Sequence, residues 1–443
     1  MQTRRDHLQA YQFAMGRLAT ALVTGDPGRG TSPTRRGSVG TFFGAVLVVL
    51  LCAGFGVYGL VKPVQKDTWR QPGTIIVEQE TGTRYLLVGD KLRPVRNYAS
   101  ALLLTGSRGT VRTVPRDVLA KVPHGSDIGI PGAPDSLPAP QDVASGGWTR
   151  CLRPDLRAGQ VLDLTPGRLT AVPADRQVVL ADPKGRRYVL WRGTKYPVPS
   201  SNTLIALGLD ADESVPAPTD WLDQVPTGVA LAAPAISHSG ARAGTVAGKQ
   251  ARVGQLFRTS GGTGAGTYVL LDDGIAPVSP TQAALLAAVK GAPPAVTLDA
   301  SALASAPVSR HPAAATALPD VLNAPAVPLG RAAVCVRQKT SGVRLTNSVV
   351  LESGPAATGH SAVVVAPAHG LLVLDQDQMR AGVSSPQTYL VTDQGTLFPF
   401  GDRQAAGSLR LSGPGTAMPA QILHLLPRGP VLGKTAATAT LKG

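Results

Sequence analysis

Gly429, Gly433, Lys434 and Thr435 come nearest to a reactive pattern in this sequence. Glycines followed by Lys and Thr suit a loop that cradles phosphates, where backbone N–H groups bind the oxygens and the lysine adds charge. Here three residues separate the glycines, one fewer than the phosphate loop requires. Such a loop must also leave a strand and open a helix whose N-terminus faces the anion. Only eight residues follow Thr435. The stretch is therefore a weak phosphate-loop lookalike, and the plainer expectation is a turn before a frayed terminus.

The other reactive side chains are scattered. His7, His124, His238, His311, His360, His369 and His424 show no metal-ligand spacing. No Cys-x-x-Cys and no Gly-x-Ser-x-Gly elbow occur. Asp210, Asp212 and Glu213 cluster, but a calcium loop needs more oxygen ligands and a turn glycine in register. They read as a solvated loop, and Asp272, Asp273, Asp375 and Asp377 read as turn residues. The residues themselves thus predict no catalytic group, no metal site and no cofactor site. Three cysteines remain. Cys52 lies in an apolar run, which leaves Cys151 and Cys335 as a pair. In an oxidising compartment they would form one disulfide, worth on the order of 5 kcal/mol for so long a loop. Two separate buried thiols are the alternative.

The elements that must position these residues begin with the apolar run. No charged residue occurs from 37 to 61, which is long enough to span a bilayer as a helix. Arg35 and Arg36 precede it, and Lys62 and Pro63 close it. A cleaved signal peptide has a shorter core nearer the start, so the segment reads as an uncleaved anchor. The first 36 residues carry six Arg against two Asp. Positive charge favours the inner side, which places 1–36 in the cytoplasm and 62–443 outside. Within the tail, residues 3–24 read as an amphipathic helix. Leu8, Tyr11, Met15, Leu18 and Leu22 recur at helical spacing. Such a stripe needs a partner helix or the lipid surface. The whole chain is basic, at +15, but no Lys/Arg run tracks a phosphate backbone, so no nucleic-acid partner is expected. A wall-binding module using the diffuse charge is a third reading.

Beyond the anchor, 50 Gly and 38 Pro among 443 residues imply short elements joined by turns. One pattern recurs four times. Tyr85, Tyr188, Tyr268 and Tyr389 each sit in an alternating apolar run, followed by a turn and then by Pro94, Pro197, Pro277 and Pro399. The turns are placed at Gly89-Asp90, Arg192-Gly193, Asp273-Gly274 and Gln394-Gly395. This predicts four hairpins. A short helix should follow each, with Asn97, Ser201 and Ser279 as caps for three and Pro280 at a first helical position. A second short helix should end at Pro123, Pro226, Pro307 and Pro427. The stretches between units, including AAVCVRQ at 332–338 and SAVVVAP at 361–367, should build a shared sheet. The Gly-rich 260–266 and Ala/Pro-rich 291–328 read as linkers or long loops.

Several stretches resemble the EccB family, the single-pass membrane core component of actinobacterial type VII (ESX) secretion systems. They are TRRDHLQAYQFAMGRL (3–18), GFGVYGLVKP (54–63), PGTIIVEQETGTRYL (72–86), LRPVRNYASALLL (92–104), GIPGAPDSLP (129–138) and the Trp148-Thr149-Arg150-Cys151 sequence. The resemblance implies an α+β protein: a single transmembrane helix plus an elongated extracytoplasmic domain of four hairpin-helix repeats around a central β-rich core. It also implies a staple between Cys151 and Cys335. Its partners would be other membrane core components, including a separate motor ATPase, in a homo- and hetero-oligomer in contact with lipid. Family members are often labelled ATPases, so ATP binding and hydrolysis stand as the alternative to a structural role, with ATP as cofactor only in that case.

The expected layout is a cytoplasmic tail (1–36), a transmembrane helix (37–61), and a linker with the first repeat (62–135). A core segment (136–180) and the second repeat (181–240) follow. Next come a core or linker segment (241–262), the third repeat (263–309), a core segment (310–385), the fourth repeat (386–436) and a C-terminal tail (437–443).

Overall fold

The computed structural model describes residues 4–25, 34–61, 68–260, 266–310 and 318–439. The chain divides into two compact units, Met1–Gln71 and Pro72–Gly443. The smaller unit is helical. One helix runs Arg4–Thr24 and a second Thr34–Val61. Thr3, where the expected helix begins, lies outside the described residues. Leu8, Tyr11, Met15, Leu18 and Leu22 are all exposed on the first helix, so nothing among the described residues covers its apolar stripe. In the second helix Val39–Val57 is long and apolar enough to cross a membrane, the one such helix among the described residues.

The larger unit is rich in sheet. Four of its sheets share one strand order: second hairpin strand, first hairpin strand, a strand from before the hairpin, and a strand from after the first helix. In the first sheet the last two are Thr74–Glu78 and Thr110–Val114, which pair parallel. The hairpins form at the expected places. Each tyrosine faces its proline across the hairpin: Tyr85 with Pro94, Tyr188 with Pro197, Tyr268 with Pro277 and Tyr389 with Pro399. Arg192 and Gly193 both have positive φ, at 48° and 78°, as a two-residue hairpin turn demands. In the third hairpin the turn is Asp272-Asp273, and Gly274 already belongs to the second strand.

The strand before each hairpin is a correction to the sequence reading. Thr74–Glu78, Gln177–Ala181, Leu256–Ser260 and Gly370–Asp375 each pair antiparallel with the first hairpin strand. Three of them precede the expected unit starts at 181, 263 and 386. Gln177–Ala181 is buried at four successive positions, so it carries no alternation for a period-two reading to catch. The Ala/Pro-rich 291–328 is likewise not all loop, since it holds the strand Val296–Asp299 and the helix Ala300–Ala304. The stretch at 241–262 forms a hairpin, Arg242–Val246 with Lys249–Arg252, and then a strand of the third sheet.

Caps follow local chemistry. Asn97 accepts from the Ser100 N–H, and Ser279 with Gln282 closes a capping box ahead of Pro280. The second unit's helix starts one residue early, with Ser200 rather than Ser201 at the cap. Asp375 and Asp377 are not turn residues. Asp375 ends a strand and caps the helix Gln376–Arg380, in whose first turn Asp377 lies.

After the second helix, one residue bridges back onto the hairpin edge in all four sheets. Leu92, Lys195, Ile275 and Leu397 donate to the carbonyls of Pro123, Pro226, Pro307 and Pro427. Their own carbonyls accept from Gly125, Gly228, Ser309 and Gly429. The helices also pair the units. Tyr98–Thr105 shares a buried cluster with Leu409, Leu432 and Ala437 of the fourth unit, and Leu204 and Leu207 of the second unit cluster with Leu285 of the third.

A six-stranded sheet collects the remaining segments. Its order is Val363–Val364, Gln160–Asp163, Trp148–Leu152, Ala332–Ser341, Arg344–Ser353 and Arg168–Ala171. The long hairpin Ala332–Ser341 and Arg344–Ser353 pairs through ten residues and supplies its middle.

Candidate functional site

The polar residues of the larger unit concentrate in the six-stranded sheet. Cys335 lies directly opposite Cys151 across neighbouring strands, and their sulfurs are bonded at 2.02 Å. On the same sheet face Arg337 pairs with Thr149, and Thr149 with Asp163. Glu352 enters this face from the long hairpin, opposite Ala333. Thr149, Asp163 and Glu352 are all buried. The Thr149 hydroxyl donates to Glu352 Oε2, and the Gly167 N–H donates to Oε1 at 3.1 Å. Glu352 Oε2 also lies 3.2 Å from Cys151 Sγ. Asp163 Oδ1 accepts from the Thr165 N–H at 2.8 Å. Burial, with the Glu352 carboxyl beside it, pushes Asp163 up to about 7.

The opposite face carries large side chains with one polar end each. Trp148 donates its indole N–H to Gln338 Oε1 at 3.0 Å, and Trp221 donates to the Arg150 carbonyl at 2.8 Å. The buried Arg150 guanidinium meets Asp220 and Gln160. Beyond the strand end, Arg153 holds Asp155 and the carbonyls of Ala356 and Gly359. These bonds tie strands and loops together.

The phosphate-loop lookalike falls apart in space. Gly429 directly follows the fourth bridging residue, Arg428, and a Cβ there would sit 2.2 Å from the Phe398 ring. Its counterpart Gly228 is crowded in the same way by Tyr196, at 2.3 Å. The glycine thus answers a close approach shared by the sheets, and not a ligand. Gly433 caps a helix of only five residues, Lys434–Thr438. The Lys434 N–H donates to Asp402 Oδ2 at 3.1 Å. A carboxylate therefore stands at the helix start where a phosphate would have to sit, and like charges repel. Thr435 is exposed on this short helix.

Of the scattered groups, His238 contacts Asp272 at 2.9 Å at the surface, Asp212 accepts from Gln177 at 2.6 Å, and His311 lies outside the described residues. Among the described residues, the one set of three His, Cys, Asp or Glu groups close enough to share an ion is Cys151, Cys335 and Glu352. Its two sulfurs are spent on each other. Sequence reasoning missed Asp163 and Glu352. The available signal was a lone carboxylate at an inward position of an apolar strand, where it needs partners.

One helix long and apolar enough to cross a membrane, a second helix whose apolar stripe is exposed, and a disulfide-stapled unit tied together by buried polar groups fit a membrane-anchored scaffold. The chain belongs to the family described as type VII secretion system ESX-1, transport TM domain B, which it matches over residues 1–443. It is similar to the ESX-3 secretion system ATPase EccB3 of Mycobacterium tuberculosis (strain ATCC 25618 / H37Rv), 27% identical over 481 residues covering 97% of this chain and 88% of the relative. It is also similar to the ESX-1 secretion system ATPase EccB1 of Mycolicibacterium smegmatis (strain MKD8), 27% identical over 467 residues covering 98% and 94%. Among solved structures it is similar to the EccB3 dimer from the ESX-3 core complex, at 25% identity and a TM-score of 0.53, covering 82% of this chain and 99% of that one. A chain of the periplasmic assembly from the ESX-5 inner membrane complex shares the fold, at 24% identity and a TM-score of 0.59, over 87% and 99%.

Proposed function

We propose that this protein is a structural membrane-core subunit of a type VII protein secretion complex, scaffolding the pore and its extracytoplasmic part. The observation that carries the reading is a family match through both helices and the whole sheet-rich unit, which runs over residues 1–443. Its relatives' structures, an EccB3 dimer and an ESX-5 inner membrane complex, support a role in assembly with other core components and with copies of itself. In this reading residues 1–36 are cytoplasmic, and the exposed stripe of Arg4–Thr24 meets a partner helix or lipid. Residues 62–443 stand outside the membrane. There the four like sheets act as copies of one repeat, arranged as an elongated domain around the six-stranded sheet. The segment boundaries stay as expected from the sequence, except that the second, third and fourth repeats begin one strand earlier.

The test is the mass and composition of the native complex. Solubilised in mild detergent with all partners present, the chain should run in a large membrane assembly with a separate motor ATPase. A persistent monomer would sink the proposal. The rival, ATP hydrolysis by this chain, predicts that Lys434→Ala removes the activity of purified protein. With Asp402 at the Lys434 N–H, any trace activity should instead survive that change and fall with further purification.

A further inference from the structure

Glu352 ties Thr149 and Gly167 into the six-stranded sheet, but that task asks only for acceptor atoms and not for a pair of buried carboxyls beside the Cys151–Cys335 bridge. Burying a carboxylate without a cation is costly, and strand pairing alone could have been served by apolar residues. The nearby cations are engaged elsewhere or stand apart. Arg153 is held by Asp155, and Arg150 lies on the opposite face with Asp220. Arg337 shares the face, yet its buried Nε has no hydrogen-bond partner and forms no bond to either carboxyl. The covering helix Pro355–Thr358 and the loop 164–167 carry no titratable side chain. Asp163, from Gln160–Asp163, is thus the one acid that faces Glu352 from a packed element.

Glu352 is aimed at sulfur. Its Oε2 lies 3.2 Å from Cys151 Sγ, whereas Cys335 Sγ has the Ala333 carbonyl at 3.4 Å. A disulfide sulfur has no hydrogen to donate. The contact is what an S–H···O bond leaves once the proton has gone.

We propose that Glu352 is the proton acceptor for the Cys151 thiol when the Cys151–Cys335 bridge closes, with Asp163 as the second carboxyl that shares the proton. The oxidant is a small disulfide. Cys335 first gives its proton to solvent, and its thiolate attacks the small disulfide, forming a mixed disulfide and releasing one small thiolate that takes a proton from solvent. Cys151 then gives its proton to Glu352, and its thiolate attacks Cys335 Sγ. The Cys151–Cys335 bond forms, and the bond from Cys335 to the small thiol breaks. The second small thiolate leaves with the electron pair and takes a proton from solvent. Two thiols are oxidised and one small disulfide is reduced to two thiols. The thiolate is the nucleophile in such exchange, so a base poised at Cys151 raises its rate where the thiol would otherwise stay protonated. The hairpin brings Glu352 beside Cys335 locally, so the acceptor is in place as soon as Trp148–Leu152 docks. The face need not be covered first.

The experiment uses the full chain in detergent, reduced and then given oxidised glutathione from pH 5 to pH 9. Closure of the mixed disulfide is followed by alkylation and mass. Glu352→Gln keeps acceptor and donor atoms for Thr149 and Gly167 but cannot take a proton. At pH 6 it should close at least about 100-fold more slowly than wild type, and the gap should shrink as pH rises and the thiol ionises unaided. In strong denaturant the two should close alike. Equal rates and equal pH profiles under native conditions, or a gap that persists in denaturant, would overturn the proposal. Should Glu352→Gln fail to fold, Asp163→Asn decides. With the second acid gone, the midpoint of the closure profile should move to lower pH, and an unmoved midpoint would also overturn it.

Discussion

The six-stranded sheet and the four like sheets solve the problem of cohesion differently. In the four like sheets, mostly apolar residues sit where the chain bridges back: Leu92, Ile275 and Leu397, with Lys195 as the exception. The repeated backbone bonds do the positioning, and side chains fill space. The six-stranded sheet joins segments far apart in the chain and spends buried polar groups to do it. Thr149 and Glu352 meet across 203 residues, and Trp148 and Gln338 across 190. Local units can be specified by turn and cap residues. A sheet assembled from distant segments needs contacts that recognise one partner only, and hydrogen bonds and a disulfide supply that selectivity.

Removing the bridge should break this contrast most strongly. Cys151→Ala with Cys335→Ala releases a loop spanning a separation of 184 residues, and should cost on the order of 5 kcal/mol in the chain-entropy account. The denaturant midpoint of purified full-length protein would show it. A loss below about 1 kcal/mol would mean that the sheet holds without its staple.

The acid pair should give a pH signature opposite in sign to that of Glu78 in the first sheet, whose carboxyl the Arg116 guanidinium holds below the usual carboxylate range. The folded Asp163 carboxyl is raised from 3.8 to about 7. The folded chain therefore binds this proton more tightly than the unfolded chain does. Its contribution to stability is fully present below about 4 and is lost by about 7. Asp163→Asn should remove that slope, gaining on the order of 2–4 kcal/mol relative to wild type at pH 8 compared with pH 4. Parallel melting curves for the two proteins at pH 4, 6 and 8 would count against it.

Two smaller effects sharpen the other side of the comparison. Gly429→Ala forces a Cβ against Phe398, and should cost about 1–3 kcal/mol. Phe398→Leu in the same chain should recover part of that loss, a coupling readable from a double-mutant cycle. Lys195→Leu should cost least, about 1 kcal/mol or less. Its Nζ donates to the Leu222 and Val225 carbonyls at 2.8 and 2.7 Å, yet the sister sheets manage with apolar side chains at that place. A urea titration distinguishes this from a loss above about 3 kcal/mol, which would make the lysine indispensable.

The hairpins, the span and most caps were legible in the sequence because their signals are local. Tyr85 and Pro94 face each other nine residues apart in number, through a turn that its own residues dictate. Ser279 and Pro280 announce a helix within one turn. The strands before the hairpins were not legible, since burial on both faces removes alternation. Asp163 and Glu352 were hidden for another reason. Each is a single acid in an apolar run, and only long-range pairing turns the two into a pair beside a sulfur. The Gly429 motif misled in the opposite sense, because close packing against Phe398 selects the same residue type that phosphate binding does.

The packing of the first unit on the last has a mechanical consequence. Tyr98–Thr105 buries its apolar residues with Leu432 and Ala437, and Arg410 reaches the Gly109 carbonyl. Tension carried along the chain into Pro72 would load this seam across the sequence, so the sheets cannot peel away one by one as in an open stack. The fourth unit would have to let go at the same moment as the first, which makes the large unit a clasp under load instead of a zipper.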